Sequence, residues 1–185
     1  MPSSGPRAWS AMRAPLGLAE HAARGVLTRF GFQSGFQDAT RLRTYYDWDS
    51  DQEWLRAGPR LLQQVGTGKV ELEEVVVDRT RGVFRVVVVV TDSLEAAMAR
   101  DRRGPAPEPV CDRLVGWLSG FGSAFLGDDV LFIEHQCAGQ EEGRRACRFE
   151  GRLAAEWGEA GQPHHALYRR DAIGERLATQ DRELL

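Results

Sequence analysis

Three cysteines, Cys111, Cys137 and Cys147, lie within one fifth of this 185-residue chain. As thiolates they could give three ligands to a tetrahedral zinc. A fourth donor must come from nearby, and the run Glu134-His135-Gln136-Cys137 offers two, Glu134 and His135. General ligand preferences favour the imidazole. On a strand the two side chains point to opposite faces, so only one of them can join the sulphurs. Two readings stand level on the residues alone: a thiolate-rich metal centre, or three unrelated buried cysteines. An odd number of cysteines cannot pair off completely, which fits a reducing, cytoplasmic setting.

Other chemistry is poorly supplied. Ser119 and Ser123 have no histidine close in sequence, and Gly-x-Ser-x-Gly, HExxH, CxxC, GxGxxG and a phosphate loop are all missing. His21 falls on an amphipathic stretch, and His164 and His165 fall in a polar connector. Asp128-Asp129 reads as a turn and Arg144-Arg145 as a solvated loop tip. No convergent acid–base pair emerges, so the chain is not expected to be an enzyme. A net charge of −3 argues against nucleic-acid binding by this chain alone. The longest apolar run, Val86 to Val90, is far short of the roughly 20 residues of a membrane span, and no signal peptide opens the sequence. Lys69 is the only lysine among 24 basic residues, a bias that points to a GC-rich bacterial gene.

The elements that must carry these residues read as follows. Residues 1–15, rich in Pro, Ser and Gly, form a loose terminus. Leu18, Ala22, Val26, Leu27 and Phe30 recur at helical spacing and predict a helix over 16–30, stopped by Gly31. A second helix runs over 32–46. Asp49-Ser50-Asp51 caps a third, which Pro59 breaks or restarts before Val65. Val70 to Asp78 and Val83 to Val90 form a hairpin around Arg79-Thr80-Arg81-Gly82, with Phe84, Val86, Val88 and Val90 on one face. Asp92-Ser93 caps a further helix, and a Pro-rich connector leads to another over 110–125. Its Gly116, Ser119, Gly120 and Ser123 permit close packing. Val130 to Gln136 pairs with Ala146 to Phe149, and Asp171 to Leu185 forms a polar tail helix. The order predicts an α+β domain with an antiparallel sheet and packed helices.

Several motifs occur together in a fixed order. They are Gly31-Phe32-Gln33-Ser34-Gly35-Phe36-Gln37-Asp38-Ala39, Gly58-Pro59-Arg60-Leu61, Asp92-Ser93-x-Glu95-Ala96, Pro109-Val110-Cys111, Gly116-Trp117-x-Ser119-Gly120-Phe121-x-Ser123-Ala124-Phe125, and Glu134-x-x-Cys137 with Cys147. Residues 22–158 thereby resemble the 4-vinyl reductase (4VR) domain. The version most like it is the N-terminal aromatic-effector-sensing domain of XylR/DmpR-type sigma-54-dependent activators. The resemblance implies a zinc-stabilised 4VR-type ligand-binding fold over 16–158, with 159–185 as linker and output helix. It places a structural zinc on Cys111, Glu134, Cys137 and Cys147, choosing Glu134 over His135. The Cys137–Cys147 loop is two residues longer than usual, a small entropic change.

Phenol sensors of that family hold the phenolic hydroxyl with a histidine after Gly-Pro-Arg-Leu and a tryptophan two residues before Asp-Ser. Leu62 and Val90 stand at those positions here. The implied lining, Leu55, Leu62, Phe84, Val88, Val90, Phe121 and Phe132, is wholly apolar, so the expected effector is a small apolar aromatic. A homodimer is expected from the resemblance alone. Two alternatives remain: a stand-alone zinc-stabilised interaction domain with a filled pocket, or an accessory protein related to tetrapyrrole vinyl reductases.

Overall fold

The computed structural model describes residues 13–168, with side chains from Ala22 onward. Helix α1 spans Arg13–Tyr45, α2 Asp51–Gln64, β1 Lys69–Asp78, β2 Val83–Thr91, α3 Leu94–Arg103, α4 Asp112–Leu126, β3 Val130–Gln136 and β4 Ala146–Leu153. A 3₁₀ turn over Ala154–Trp157 leads into α5, Gly158–Tyr168. The four strands form one antiparallel sheet in the order β1-β2-β4-β3. The predicted α+β class and both hairpins are present. The expected tail helix at 171–185 and residues 1–12 lie outside the described residues.

The largest departure from the sequence reading is at Gly31. It does not stop a helix. α1 runs unbroken through Gly31 and Gly35 for 33 residues, about 50 Å. These glycines serve contact instead. A Cβ on Gly31 would fall 2.0 Å from the carbonyl oxygen of Arg113, and one on Gly35 2.0 Å from that of Trp117. Reciprocally, a Cβ on Gly116 would meet the Thr28 oxygen, and one on Gly120 the Phe32 oxygen, each at 2.0 Å. α1 and α4 therefore touch backbone to backbone, with glycine Cα–H groups facing carbonyls across the crossing. Three of the apolar residues that signalled the helix are not ones it buries: Val26 is 53% exposed, Leu27 45% and Phe30 61%, while Thr28 and Ala39 are fully buried.

Pro59 likewise does not break its helix, and α2 continues past it to Gln64. Ser50 caps α2 by accepting from the Glu53 amide at 3.1 Å, while Glu53 Oε2 accepts from the Asp49 amide. Residues 158–168 form a helix rather than a polar connector. α5 is anchored by buried Leu167, whose carbonyl accepts from Arg29, and by Tyr168, whose ring meets Phe32 edge-on.

The inner face of the sheet carries Phe84, Val86, Val88 and Val90 from β2 and Phe149 from β4 against α2 and α4, giving one core. Ser119 and Ser123 of α4 fasten β3. Ser119 Oγ accepts from the Phe132 amide at 2.9 Å and from Tyr168 Oη at 3.0 Å, and Ser123 Oγ accepts from the Val130 amide at 2.9 Å. The outer face carries charged pairs beside buried Val87, Leu131 and Ile133: Glu150 accepts from both Arg85 and Arg152, and Arg148 pairs with Glu73.

Candidate metal centre and apolar core

Cys111 is the N-cap residue of α4, Glu134 and Cys137 flank the end of β3, and Cys147 opens β4. Their ligand atoms all lie within 4.8 Å of one another, and all four residues are buried. Cys111 Sγ is 3.7 Å from Cys147 Sγ and 4.0 Å from Cys137 Sγ. A tetrahedral ion with metal–sulphur bonds of about 2.3 Å sets its sulphurs about 3.8 Å apart. The sulphurs are too far apart for disulfides and well spaced for a shared ion.

The carboxylate completes the set. Glu134 Oε2 accepts from the Cys111 amide at 3.1 Å, while Oε1 is buried without a partner. An orphaned buried carboxylate oxygen is costly unless a cation takes it. Amides already serve the sulphurs: Ala138 N donates to Cys147 Sγ at 3.2 Å and Gly139 N to Cys137 Sγ at 3.3 Å. Ser93 Oγ lies 3.5 Å from Cys111 Sγ. Three soft donors and one carboxylate, closed on all sides, fit a four-coordinate ion with no open position.

His135 is not part of this set. The β3–β4 register shifts between Glu134 and Gln136, and His135 turns outward with Nε2 3.5 Å from Glu150 Oε2. Strand alternation thus separates the two candidates as expected, and the carboxylate is the one inside.

The acids also show what a cation would relieve. Hydrogen bonds from Cys111 and Cys147 pull the Cys137 thiol well below its ordinary range. Hydrogen bonding to Cys137 and burial push Cys111 far up, and burial, reinforced by the Cys137 charge, raises Glu134 to about 9. Alone, the four groups compete for protons; a divalent ion would let all of them ionise.

The seven residues of the expected lining come from four elements and meet in one core. Leu55 and Leu62 come from α2, Phe84, Val88 and Val90 from β2, Phe121 from α4 and Phe132 from β3. Phe84 and Phe132 pack edge to face at 6.0 Å, and Phe121 stacks on Trp117 at 4.9 Å. Each of the three phenylalanines lies against a glycine. A Cβ on Gly58 would come within 3.2 Å of the Phe121 ring, on Gly122 within 3.3 Å of Phe84, and on Gly151 within 2.7 Å of Phe132. The core adjoins the cysteine–glutamate cluster, because Cys147 pairs with Val90 and Glu134 stands two residues beyond Phe132.

Trp54 and Phe125 were not foreseen. Both are buried, with ring centroids 4.7 Å apart, and Trp54 Nε1 donates to the Ala39 carbonyl. Phe125 stands one helical turn beyond Phe121, a spacing that could have pointed to it.

Known proteins resemble this chain in sequence and in fold. Residues 7–78 match a family described as activators of aromatic catabolism. The transcriptional regulatory protein XylR of Pseudomonas putida is 34% identical over 151 residues, 82% of this chain and 26% of that protein. The phenol regulator MopR of Acinetobacter guillouiae is 27% identical over 134 residues, 72% of this chain and 24% of that protein. The chain thus spans about a quarter of the length of these relatives. The crystal structure of the phenol-responsive sensory domain of the transcription activator PoxR, with phenol, superimposes with a TM-score of 0.77. It is 33% identical and covers 91% of this chain and 84% of that domain.

Proposed function

Because the chain belongs to the family of aromatic-effector sensory domains of XylR- and PoxR-type transcription activators, we propose that it senses a small apolar aromatic and carries a structural zinc. The family is one of regulatory domains, not enzymes. The observation that carries the effector reading is the chemistry at Leu62 and Val90. Both are buried in the core with Phe84, Phe121 and Phe132, and none of the seven lining side chains can hydrogen-bond. A phenolic hydroxyl placed there would give up water for nothing, at about 1–3 kcal/mol. A hydrocarbon ring would lose only water contacts and gain burial.

Zinc would be held by Cys111, Glu134, Cys137 and Cys147, and would supply cross-linking rather than catalysis. The ligands join the start of α4 to the ends of β3 and β4, so the ion would fix the helix bearing Phe121 to the strand bearing Phe132. A homodimer, and a signal leaving through residues 159–185 towards transcription machinery, belong to the same reading. No helix among the described residues is long and apolar enough to cross a membrane.

One observation favours a second reading, a filled core. The seven side chains are all buried, and of them only Leu55 borders the two open clefts described below. Thermal shift of the metal-loaded protein with toluene and with cresol separates the readings. Ligand at 100 times its Kd stabilises by about 2.7 kcal/mol, or roughly 5–10 °C for a domain of this size. Toluene is expected to stabilise at concentrations about tenfold below those cresol needs. Equal or tighter cresol binding would overturn the apolar-pocket reading. No shift with any aromatic would leave a zinc-stabilised interaction domain.

A further inference from the structure

Among the described residues, two clefts open along one seam, between α2 and the first hairpin. A cleft of about 230 Å³ is lined by Asp51, Gln52, Leu55, Val77, Arg79 and Phe125, among others. A smaller one of about 110 Å³ continues along β1 beside Gln52, Leu55, Arg56, Leu72 and Val75. The larger exceeds the roughly 150 Å³ that suffices for benzene in an apolar cavity. Gln52 and Leu55 border both, and Leu55 is also a wall of the apolar core. Behind the cleft, aromatic rings run inward without a break: Phe125 to Phe84 at 6.5 Å, then Phe84 to Phe132 at 6.0 Å.

One side chain spans the mouth. Arg79 sits in the β1–β2 turn, yet its Nε donates to the Phe125 carbonyl at the end of α4 at 2.6 Å. Its Nη1 donates to Asp51 Oδ1 at the start of α2 at 3.0 Å. Its guanidinium lies 5.0 Å from the Trp54 ring centre and 5.4 Å from that of Phe125. Nothing about a hairpin turn requires an arginine reaching two helices. The contacts are half exposed and few, so each is weak enough to open often.

We propose that this cleft is the access subsite through which a single-ring arene reaches the apolar core, and that Arg79, bridging Asp51 and the Phe125 carbonyl, is the latch that closes it. The proposal rests on the effector-sensing reading above. A planar ring entering between Leu55 and Phe125 takes the place of the guanidinium on the Phe125 face. Arg79 swings towards solvent with Asp51, then returns once the ring has passed. A latch of this kind governs rates in both directions and leaves affinity nearly untouched.

The test is stopped-flow tryptophan fluorescence of the metal-loaded protein mixed with toluene, with Kd from calorimetry. Arg79→Met keeps the stem and removes the bridge. It is expected to raise association and dissociation rates together, about three- to tenfold, with Kd changed less than about twofold. Gln52→Trp, at an exposed residue bordering both clefts, is expected to slow both rates without lowering Tm. Unchanged rates in both variants, with Kd intact, would overturn the latch and leave the sensing reading standing. A change confined to dissociation would overturn it too, by making Arg79 a binding residue. Failure of the unmodified protein to bind toluene would overturn both readings.

Discussion

Replacing Gly120 by alanine pits two effects of opposite sign against each other. Alanine is the better helix former by about 1 kcal/mol, so propensity alone predicts a more stable protein. Contact predicts the reverse. The added methyl would fall 2.0 Å from the Phe32 carbonyl oxygen and 2.8 Å from its carbon, where carbon and oxygen ordinarily stay at least about 3.3 Å apart. The obstacle is backbone, so no side chain can turn aside. α1 and α4 must part locally by about 1.3 Å, and the reciprocal seats of Gly31, Gly35 and Gly116 loosen with them. Overpacking of this severity costs about 3 kcal/mol or more. After the propensity gain the net loss is about 2 kcal/mol or more, a Tm lowered by roughly 4–8 °C. Urea denaturation at fixed zinc measures it as a fall in midpoint with an unchanged slope. Gly35→Ala should behave alike, and the double variant should lose less than the sum, because the first methyl has already parted the helices. A rise in midpoint for either single variant would refute the close-contact account of the crossing.

Two further outcomes concern the sites. His135→Ala is expected to retain about one zinc per chain, whereas Glu134→Gln should weaken binding at least about tenfold, by removing the charge from the orphaned oxygen; metal titration against a competing chelator checks both, and the reverse pattern would reassign the fourth ligand. Leu62→His combined with Val90→Trp is expected to move preference from toluene towards cresol in thermal shift, while either change alone leaves a hydroxyl half satisfied, and Val90→Trp alone should also lower Tm by overfilling the core.

Much of the fold was legible because its signals were local. The β-branched runs at 70–78 and 83–90 have a single reading, and Ser50 and Ser93 sit at the helix starts that their chemistry marks. Glycine was the ambiguous letter. Gly31 can end a helix or admit a neighbouring backbone, and only the matching Gly116-x-x-x-Gly120, some 85 residues later, tells which. α5 was missed for a related reason. Gly158, Gly161 and Pro163 all weaken its propensity, and it stands on Leu167 and Tyr168 packing against α1, which no local window contains. At the candidate metal centre, residue chemistry named the three thiols but left Glu134 and His135 open. The family resemblance chose between them, and the structure brings the same carboxylate to the sulphurs. Arg79 read as an ordinary turn residue, because its partners on α2 and α4 are fixed only by the tertiary fold.

The two serines that fasten β3 have a consequence beyond this molecule's own stability. An outermost strand usually offers a row of unsatisfied amides, which another chain can copy into a growing sheet. Here Ser119 and Ser123 already occupy the amides of Phe132 and Val130. At the opposite margin, β1 is interrupted by a bulge at Glu73, between Leu72 and Glu74. Neither side of the sheet is a good template. Removing the two hydroxyls would therefore do more than subtract hydrogen bonds: it would leave the Val130 and Phe132 amides unpaired on an edge strand rich in Val, Leu, Phe and Ile, ready to pair with a neighbouring chain whenever α4 parts from it.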